Sequence, residues 1–129
     1  MQMGEPATTV IFVSTRRPEQ TIEKEMEARG LSALWAPSIA SAAPLFNSAQ
    51  DRTVVITELA LVDGNWRDLV ERVNCLGRLI PIVLVASTST AELWWDALEC
   101  GIEDILIAPL SASQLSQLLS KQFTNAKLI

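Results

Sequence analysis

The chain has 129 residues, of which 49% are hydrophobic and 19% are charged, and its formal net charge is −5. This length and apolar content predict a single globular domain over residues 1–129 and argue against disorder. Because proteins bind nucleic acids largely by neutralising phosphates with clustered Lys and Arg side chains, the acidic balance predicts no nucleic-acid binding by this domain.

Five short apolar, β-branched runs alternate with helical stretches along the chain. The predicted strands cover residues 9–13, 31–36, 53–57, 80–86 and 104–107. Strands one, three and four are almost continuously apolar, which indicates burial on both faces. A parallel sheet with helices on each side meets that requirement, and right-handed crossovers make it a three-layer, doubly wound α/β domain. Its core is predicted to span about residues 9–123.

Proline and glycine mark the ends of the first two helices. Pro18 suits the first turn of helix one and Gly30 its end, so helix one is predicted over about residues 18–29. Pro44 is expected in the first turn of a short helix two, or at a kink in it, because a proline inside a helix removes a backbone hydrogen bond.

Capping residues mark helices four and five. Residues 89–92 and 111–114 both read Ser-x-x-Glu/Gln, the capping-box pattern that satisfies two backbone N–H groups at a helix start. Gly101 is expected to end helix four. Pro109 follows the fifth predicted strand.

The chain has no histidine and two cysteines. The missing imidazole excludes a His-dependent catalytic triad and removes the commonest metal ligand. Cys75 and Cys100 stand apart in predicted helices, so we expect reduced, partly buried thiols without a metal. Apolar run 79–86 is too short to span a bilayer, and residues 1–9 lack the features of a secretory signal. We therefore expect a cytoplasmic protein without membrane contact.

From residue 10 to residue 123 the sequence resembles the receiver domain of bacterial response regulators. Residues 54–64 are similar to the strand and loop that carry the phosphorylated aspartate, and residues 97–110 are similar to the segment from helix four to the end of strand five. The resemblance implies a CheY-like, flavodoxin-like fold with strand order 2-1-3-4-5 and a role in two-component signal transduction. It also implies a cis peptide bond between Ala108 and Pro109 that shapes the turn into helix five.

The resemblance further implies phosphoryl transfer to an aspartate, assisted by a cation-binding acidic pair, a hydroxyl and a lysine. In this chain the acidic pair falls on Ser14 and Thr15, the acceptor on Glu58, the hydroxyl on Ala86 and the lysine on Ala108. All five positions depart from the pattern. One carboxylate does not supply the oxygen ligands that Mg²⁺ requires, and phosphoryl transfer depends on positioning and electrostatics. We therefore predict a phosphorylation-independent pseudo-receiver without metal, cofactor or enzyme activity.

Three alternatives accompany this prediction. Glu58 either imitates the charge of a phosphoaspartate or is vestigial, and we expect the second because Ala86 and Ile105 replace the hydroxyl and aromatic residues of the family's switch. A residual phosphorelay role would use Glu58 or the neighbouring Ser87, although a shift of one residue along a strand points a side chain to the other face. A small-ligand domain would bind above the strand ends, but strand one lacks a following Gly-rich loop.

The four tryptophans divide into packing and surface candidates. Trp35 and Trp66 are expected in core or loop packing. Trp94 and Trp95 are consecutive on helix four and therefore point about 100° apart. The spacing of Ala91, Trp95 and Leu98 predicts the sheet-facing side, which leaves Trp94 exposed.

An exposed Trp94 would lie on the face formed by helix four, strand five and helix five. Three polar residues of helix five accompany it on this face: Ser113, Gln114 and Gln117. Because tryptophan is enriched at binding hot spots and receivers commonly associate through this face, we expect it to bind a protein partner or a second copy of the chain.

Overall fold

The computed structural model describes residues 8–49, 52–77 and 79–124, with the backbone alone for residues 121–124. Its elements in chain order are β1 (Thr8–Val13), α1 (Gln20–Ala28), β2 (Leu31–Ala36), α2 (Ile39–Asn47), β3 (Thr53–Glu58), β4 (Ala60–Leu61), β5 (Gly64–Asn65), α3 (Trp66–Asn74), β6 (Ile82–Ala86), α4 (Ala91–Glu99), β7 (Asp104–Ile107) and α5 (Ala112–Thr124). Five strands form one parallel sheet in the order β2-β1-β3-β6-β7. Since β6 and β7 are the fourth and fifth predicted strands, the predicted order is confirmed.

Helices cover both faces of this sheet. Successive side chains of β1 show the alternation, since Phe12 packs with α1 and α5 on one face and Val13 packs with α2, α3 and α4 on the other. The central strand β3 is buried from Thr53 to Thr57. This double burial explains the continuous apolar run in the sequence and confirms the three-layer architecture.

The first two helices differ from the sequence prediction in their starts. Helix α1 begins at Gln20, two residues after Pro18, and Gly30 follows its end with a φ of 80° as predicted. Helix α2 begins at Ile39 because the Ser38 and Ser41 side chains cap it reciprocally. Pro44 is therefore the sixth residue of the helix, and its predicted place in the first turn is wrong.

Side-chain caps mark where the last two helices begin. The Leu93 amide donates to Thr90 Oγ1 at 3.1 Å, so Thr90 caps α4 and the predicted box over residues 89–92 is wrong by one residue. Ser111 and Gln114 form the predicted box of α5, with reciprocal bonds of 2.9 and 3.2 Å. Gly101 follows α4 with a φ of 81°, and the Ala108–Pro109 bond is cis, as expected.

The tryptophans and thiols that were predicted to be buried follow the prediction, except for one thiol. Trp66 is buried under α3, and Trp35 is half-buried against the α1–α5 layer. Cys75 and Cys100 are both free thiols, and Cys100 packs partly into the core. Cys75 is exposed because it follows the last residue of α3, so its predicted partial burial is wrong.

A short hairpin between β3 and α3 was not predicted. Strands β4 and β5 pair antiparallel, and the turn between them carries Asp63. The two carboxylate oxygens of Asp63 accept hydrogen bonds from the Ile39 and Ala40 amides at 2.9 and 3.0 Å. These bonds connect the hairpin to the amino-terminal end of α2, where backbone N–H groups lack partners within the helix.

Because of Asp63, the stability of the fold is expected to depend on pH in the acidic range. The Ile39 and Ala40 amides lower the pKa of Asp63 below its ordinary value because they bind its ionised form. A lowered folded-state pKa adds stability above the unfolded-state pKa of about 3.9, and that stability is lost as the pH falls through the folded-state pKa. We expect Asp63→Asn to melt at a lower temperature than the natural chain at pH 7.

Thermal melting of both proteins between about pH 7 and pH 2 checks this expectation. The difference in melting temperature should be constant above about pH 5 and should shrink below about pH 4. Glu71→Gln is the matched control, because the exposed Glu71 side chain accepts no hydrogen bond within the described part of the chain. A difference for Asp63→Asn that stays unchanged down to the most acidic pH would contradict the assignment.

Candidate functional site

The five positions that were predicted to correspond to a phosphorylation site lie at the carboxyl ends of the strands. Ser14 and Thr15 follow β1, and Glu58 and Ala86 are the last residues of β3 and β6. Ala108 follows β7, and its amide donates to the Ala86 carbonyl at 2.9 Å. Because parallel strands end at one edge of a sheet, the fold brings residues 14, 15, 58, 86 and 108 to a common rim.

Glu58 is fixed by the loop between β1 and α1. Its Oε1 atom accepts the backbone N–H of Thr15 at 2.8 Å and the Thr15 hydroxyl at 3.1 Å. Both bonds end on the same carboxylate oxygen. The side chain of Glu58 thus holds the β1–α1 loop against the end of β3.

Ser14 is also engaged, in a local turn. Its hydroxyl donates to the Arg16 carbonyl at 2.6 Å, while its own carbonyl accepts the indole N–H of Trp35 at 3.1 Å. Because the Ser14 hydroxyl donates its hydrogen to the Arg16 carbonyl, it does not donate to Glu58. The loop is therefore ordered by contacts among its own residues and the neighbouring strand β2.

The residues at this rim do not fit a divalent cation. Mg²⁺ takes oxygen ligands in near-octahedral geometry and usually uses carboxylates. Here one oxygen of Glu58 already accepts two hydrogen bonds from Thr15, and the Ser14 hydroxyl is used within its turn. Across residues 8–49, 52–77 and 79–124, no three His, Cys, Asp or Glu side chains are grouped so that they could hold a metal.

The positions expected to carry a hydroxyl and a lysine present only methyl groups. Ala86 is buried, with 4% of its surface exposed, and Ala108 is exposed at the rim. Ser87 is exposed and lies one residue beyond the end of β6. Ile105, which the resemblance was expected to place at the switch aromatic, is buried in the core beneath the α2–α3–α4 layer.

A cavity of about 380 Å³ opens at this rim on the α1–α5 side of the sheet. Ser14, Glu58 and Ala108 line its mouth together with Arg16, a residue that the sequence reasoning did not single out. The sequence carries no signal for Arg16, because composition and periodicity do not indicate a cavity. Thr15 and Ala86 do not line the cavity.

The predicted sheet-facing side of α4 is wrong. Leu93, Ala97 and Cys100 pack into the core, whereas Trp95 and Leu98 are 68% and 58% exposed. Leu93, Ala97 and Cys100 also follow helical spacing, so the sequence held two apolar stripes and the less aromatic one is buried.

The exposure of Trp94 agrees with the prediction, at 40% of its surface. Arg67 of α3 pairs with Asp96 at 2.6 Å, which places that flank of α4 towards α3. Trp94 and Leu98 are each two residues from Asp96, about 200° around the helix, and so lie on the flank towards β7. Ile107, 39% exposed on the edge strand β7, lies on the same side of the sheet as Ile105.

Two of the three α5 residues that were predicted to lie on the face with Trp94 are close to β7. The Gln114 side chain donates to the Ile107 carbonyl at 3.3 Å, and Gln117 lines a groove with Asp104 and Leu106 of β7. Ser113 is exposed on α5. We call the exposed apolar surface formed by Trp94, Trp95, Leu98 and Ile107 the tryptophan surface.

The fold is that of CheY-like receiver domains of two-component response regulators. A response regulator from Clostridium difficile superposes with a TM-score of 0.77 at 22% identity, covering 88% of this chain and 93% of that chain. The chemotaxis protein CheY4 of Vibrio cholerae gives 0.79 at 16% identity, covering 90% and 98%. A receiver domain protein from Clostridium thermocellum gives 0.76 at 18% identity, covering 94% and 98%. Identities this low establish the fold alone.

Comparisons by sequence give no further assignment. No protein-family profile matches the chain, and no curated protein sequence matches it. In the described part of the chain, no helix has the length and apolar character needed to span a membrane.

Proposed function

We propose that the chain is a phosphorylation-independent pseudo-receiver that acts as a protein-interaction module in bacterial two-component-type signalling. The observation that supports this most is the chemistry of the rim at the carboxyl ends of the strands. Of the five positions that would carry the family's phosphorylation site, Glu58 alone has a carboxylate, and Thr15 already binds one of its oxygens. Ala86 and Ala108 offer no hydroxyl or ammonium group to a phosphoryl oxygen.

The role of Glu58 in this proposal is structural. A permanent imitation of phosphoaspartate would need a group that moves in response to the charge, because a charge shifts a two-state equilibrium only through contacts that differ between the states. Ala86 has no hydroxyl to move, and Ile105 is a buried aliphatic side chain. The two bonds from Thr15 give Glu58 a different task, which is to hold the β1–α1 loop.

The output of the proposed module is association through the tryptophan surface. Three of its four apolar side chains lie on the exposed part of α4 and the fourth, Ile107, lies on the adjoining edge strand β7. Gln114 and Gln117 of α5 contribute polar groups beside β7. An apolar centre beside a polar rim is the arrangement typical of protein interfaces. A protein partner and a second copy of the chain both suit this surface.

Incubation with acetyl phosphate and Mg²⁺, followed by intact-mass measurement, tests the central part of the proposal. We expect no gain of a phosphoryl group and no change in melting temperature with Mg²⁺. Glu58→Asp under the same conditions is the matched control, since it restores the acceptor residue without the other four groups and should also remain unmodified. A stable phosphoryl adduct on the natural chain, at Glu58 or at Ser87, would refute phosphorylation independence and support the phosphorelay alternative.

A further inference from the structure

The cavity at the rim has an apolar floor. Its buried lining includes five apolar residues of the layer that contains α1 and α5: Phe12, Ile22, Ile56, Val85 and Leu110. Its volume of about 380 Å³ lies at the lower end of the range of small-molecule sites, which is roughly 300–1,000 Å³. A floor of this composition favours a small apolar group over water, which needs polar partners.

The mouth of the cavity is open because the Ser14 and Ala108 side chains are short and the Glu58 side chain is hydrogen-bonded to Thr15. Ser14 bonds back to the Arg16 carbonyl, and Ala108 contributes only a methyl group. Glu58 is held by Thr15 through Oε1, at the edge of the opening. The opening is thus maintained by hydrogen bonds already present in the structure.

The cavity lining also carries the guanidinium of Arg16 and carboxylate oxygens of Glu19 and Glu58 that are available to a ligand. The guanidinium of Arg16 forms no ion pair within the described residues, whereas neighbouring Arg17 binds Glu23 at 3.0 and 3.2 Å. Both Thr15 bonds end on Oε1 of Glu58, and its Oε2 accepts no hydrogen bond from the described part of the chain. A ligand that carries both an anionic and a cationic group would satisfy both.

We propose that this cavity binds a free α-amino acid with an apolar side chain. The α-carboxylate pairs with Arg16, the α-ammonium group donates to Oε2 of Glu58, and the side chain enters the apolar floor. A purely anionic amphiphile would meet the negative charge of Glu58 without a compensating donor. A nucleotide would present several phosphate charges to a mouth that lacks a glycine-rich loop.

This inference goes beyond the proposed function, because it gives the domain a chemical input that does not depend on phosphorylation. Its failure is distinguishable from a failure of that function. The acetyl phosphate experiment reports on a covalent adduct at the rim, whereas amino-acid binding is an equilibrium measured without any phosphodonor.

Isothermal titration with L-leucine, L-methionine and L-phenylalanine tests the inference on the natural chain. We expect at least one to bind with a Kd below about 1 mM. Isoamylamine lacks the carboxylate, 4-methylpentanoate lacks the ammonium group, and glycine lacks the side chain, so each should bind at least about tenfold more weakly. Absence of binding by all three amino acids, or equal binding by an analogue that lacks either charge, would overturn the proposal.

Variants locate the site. Arg16→Gln removes the cation, and Ala108→Leu fills the mouth while keeping the backbone bond from residue 108 to Ala86. Each should weaken binding at least about tenfold. Lys24→Gln is the matched control, because Lys24 is an exposed cation of α1 that does not line the cavity. Thermal melting verifies that each variant is folded, and a folded Arg16→Gln or Ala108→Leu with unchanged affinity would overturn the proposal.

Discussion

A variant carrying Ser14→Asp, Thr15→Asp, Glu58→Asp, Ala86→Thr and Ala108→Lys is expected to bind Mg²⁺ and to accept a phosphoryl group from acetyl phosphate. The natural chain is expected to do neither. The strands already bring the five positions to one rim, so the change supplies missing groups to an existing arrangement. Three carboxylates then provide the hard oxygen ligands that one carboxylate cannot.

The size of this effect follows from binding linkage. At a Mg²⁺ concentration about 100 times the Kd, the metal should stabilise the five-residue variant by about 2.7 kcal/mol. Without Mg²⁺ the same variant should melt below the natural chain, because three adjacent carboxylates repel one another. Thermal melts with and without Mg²⁺ and intact-mass measurement after acetyl phosphate treatment check both parts.

A control variant separates metal binding from phosphoryl transfer. It carries Glu58→Asn in place of Glu58→Asp, so it retains the acidic pair but has no acceptor carboxylate. We expect no phosphoryl adduct on this control. If the five-residue variant folds and still ignores both Mg²⁺ and acetyl phosphate, the assignment of these positions to one former site is wrong. A Kd for Mg²⁺ below about 1 mM on the natural chain would equally contradict the proposal.

Trp94→Ala is expected to weaken association by about 2 kcal/mol, or roughly thirtyfold, and to leave folding stability nearly unchanged. Trp94 is 40% exposed on α4, on the flank towards β7. Burial of the exposed Trp94 side chain by a partner would add favourable free energy to binding. Folding stability depends instead on the α4 residues that pack into the core, which are Leu93, Ala97 and Cys100. Binding and folding stability should therefore separate.

Sedimentation and thermal melting measure the two quantities in the same preparation. For a heterologous partner, a pull-down with the natural chain and the variant replaces sedimentation. Leu79→Ala is the matched control, because Leu79 is fully exposed at the opposite end of the sheet, before β6. Unchanged association together with a large loss of melting temperature would place Trp94 in the core and remove the proposed interface.

The sheet was predictable because double burial leaves a strong trace in sequence. Residues 54–56 and 82–86 are apolar throughout, and burial on both faces is typical of strands in a parallel sheet covered by helices. The face of α4 was not predictable in the same way. Its two apolar stripes differ by two residues, and burial falls on the stripe with Ala97, which allows the helix to approach the sheet closely.

Features that depend on distant side chains left little trace in sequence. The β4–β5 hairpin is connected to α2 by Asp63, which lies 24 residues from Ile39 along the chain. The Thr15–Glu58 bonds join residues 43 positions apart, although both residues were identified as site positions. The rim cavity is a volume that no side chain fills, and composition or periodicity cannot indicate an unfilled volume. Sequence thus located the rim but not the contacts within it.

The hydrogen bond from the Trp35 indole to the Ser14 carbonyl has an optical consequence. Half-buried on β2, Trp35 directs its N–H at a residue that lines the cavity mouth. Indole emission responds to changes in hydrogen bonding and hydration, and a half-buried indole ordinarily keeps its N–H bonded. With Trp94 and Trp95 replaced by phenylalanine, Trp35 and the buried Trp66 remain. A change in the emission of Trp35 on top of the Trp66 background would then report on occupancy of the rim in real time, so the domain contains its own fluorophore for following ligand exchange.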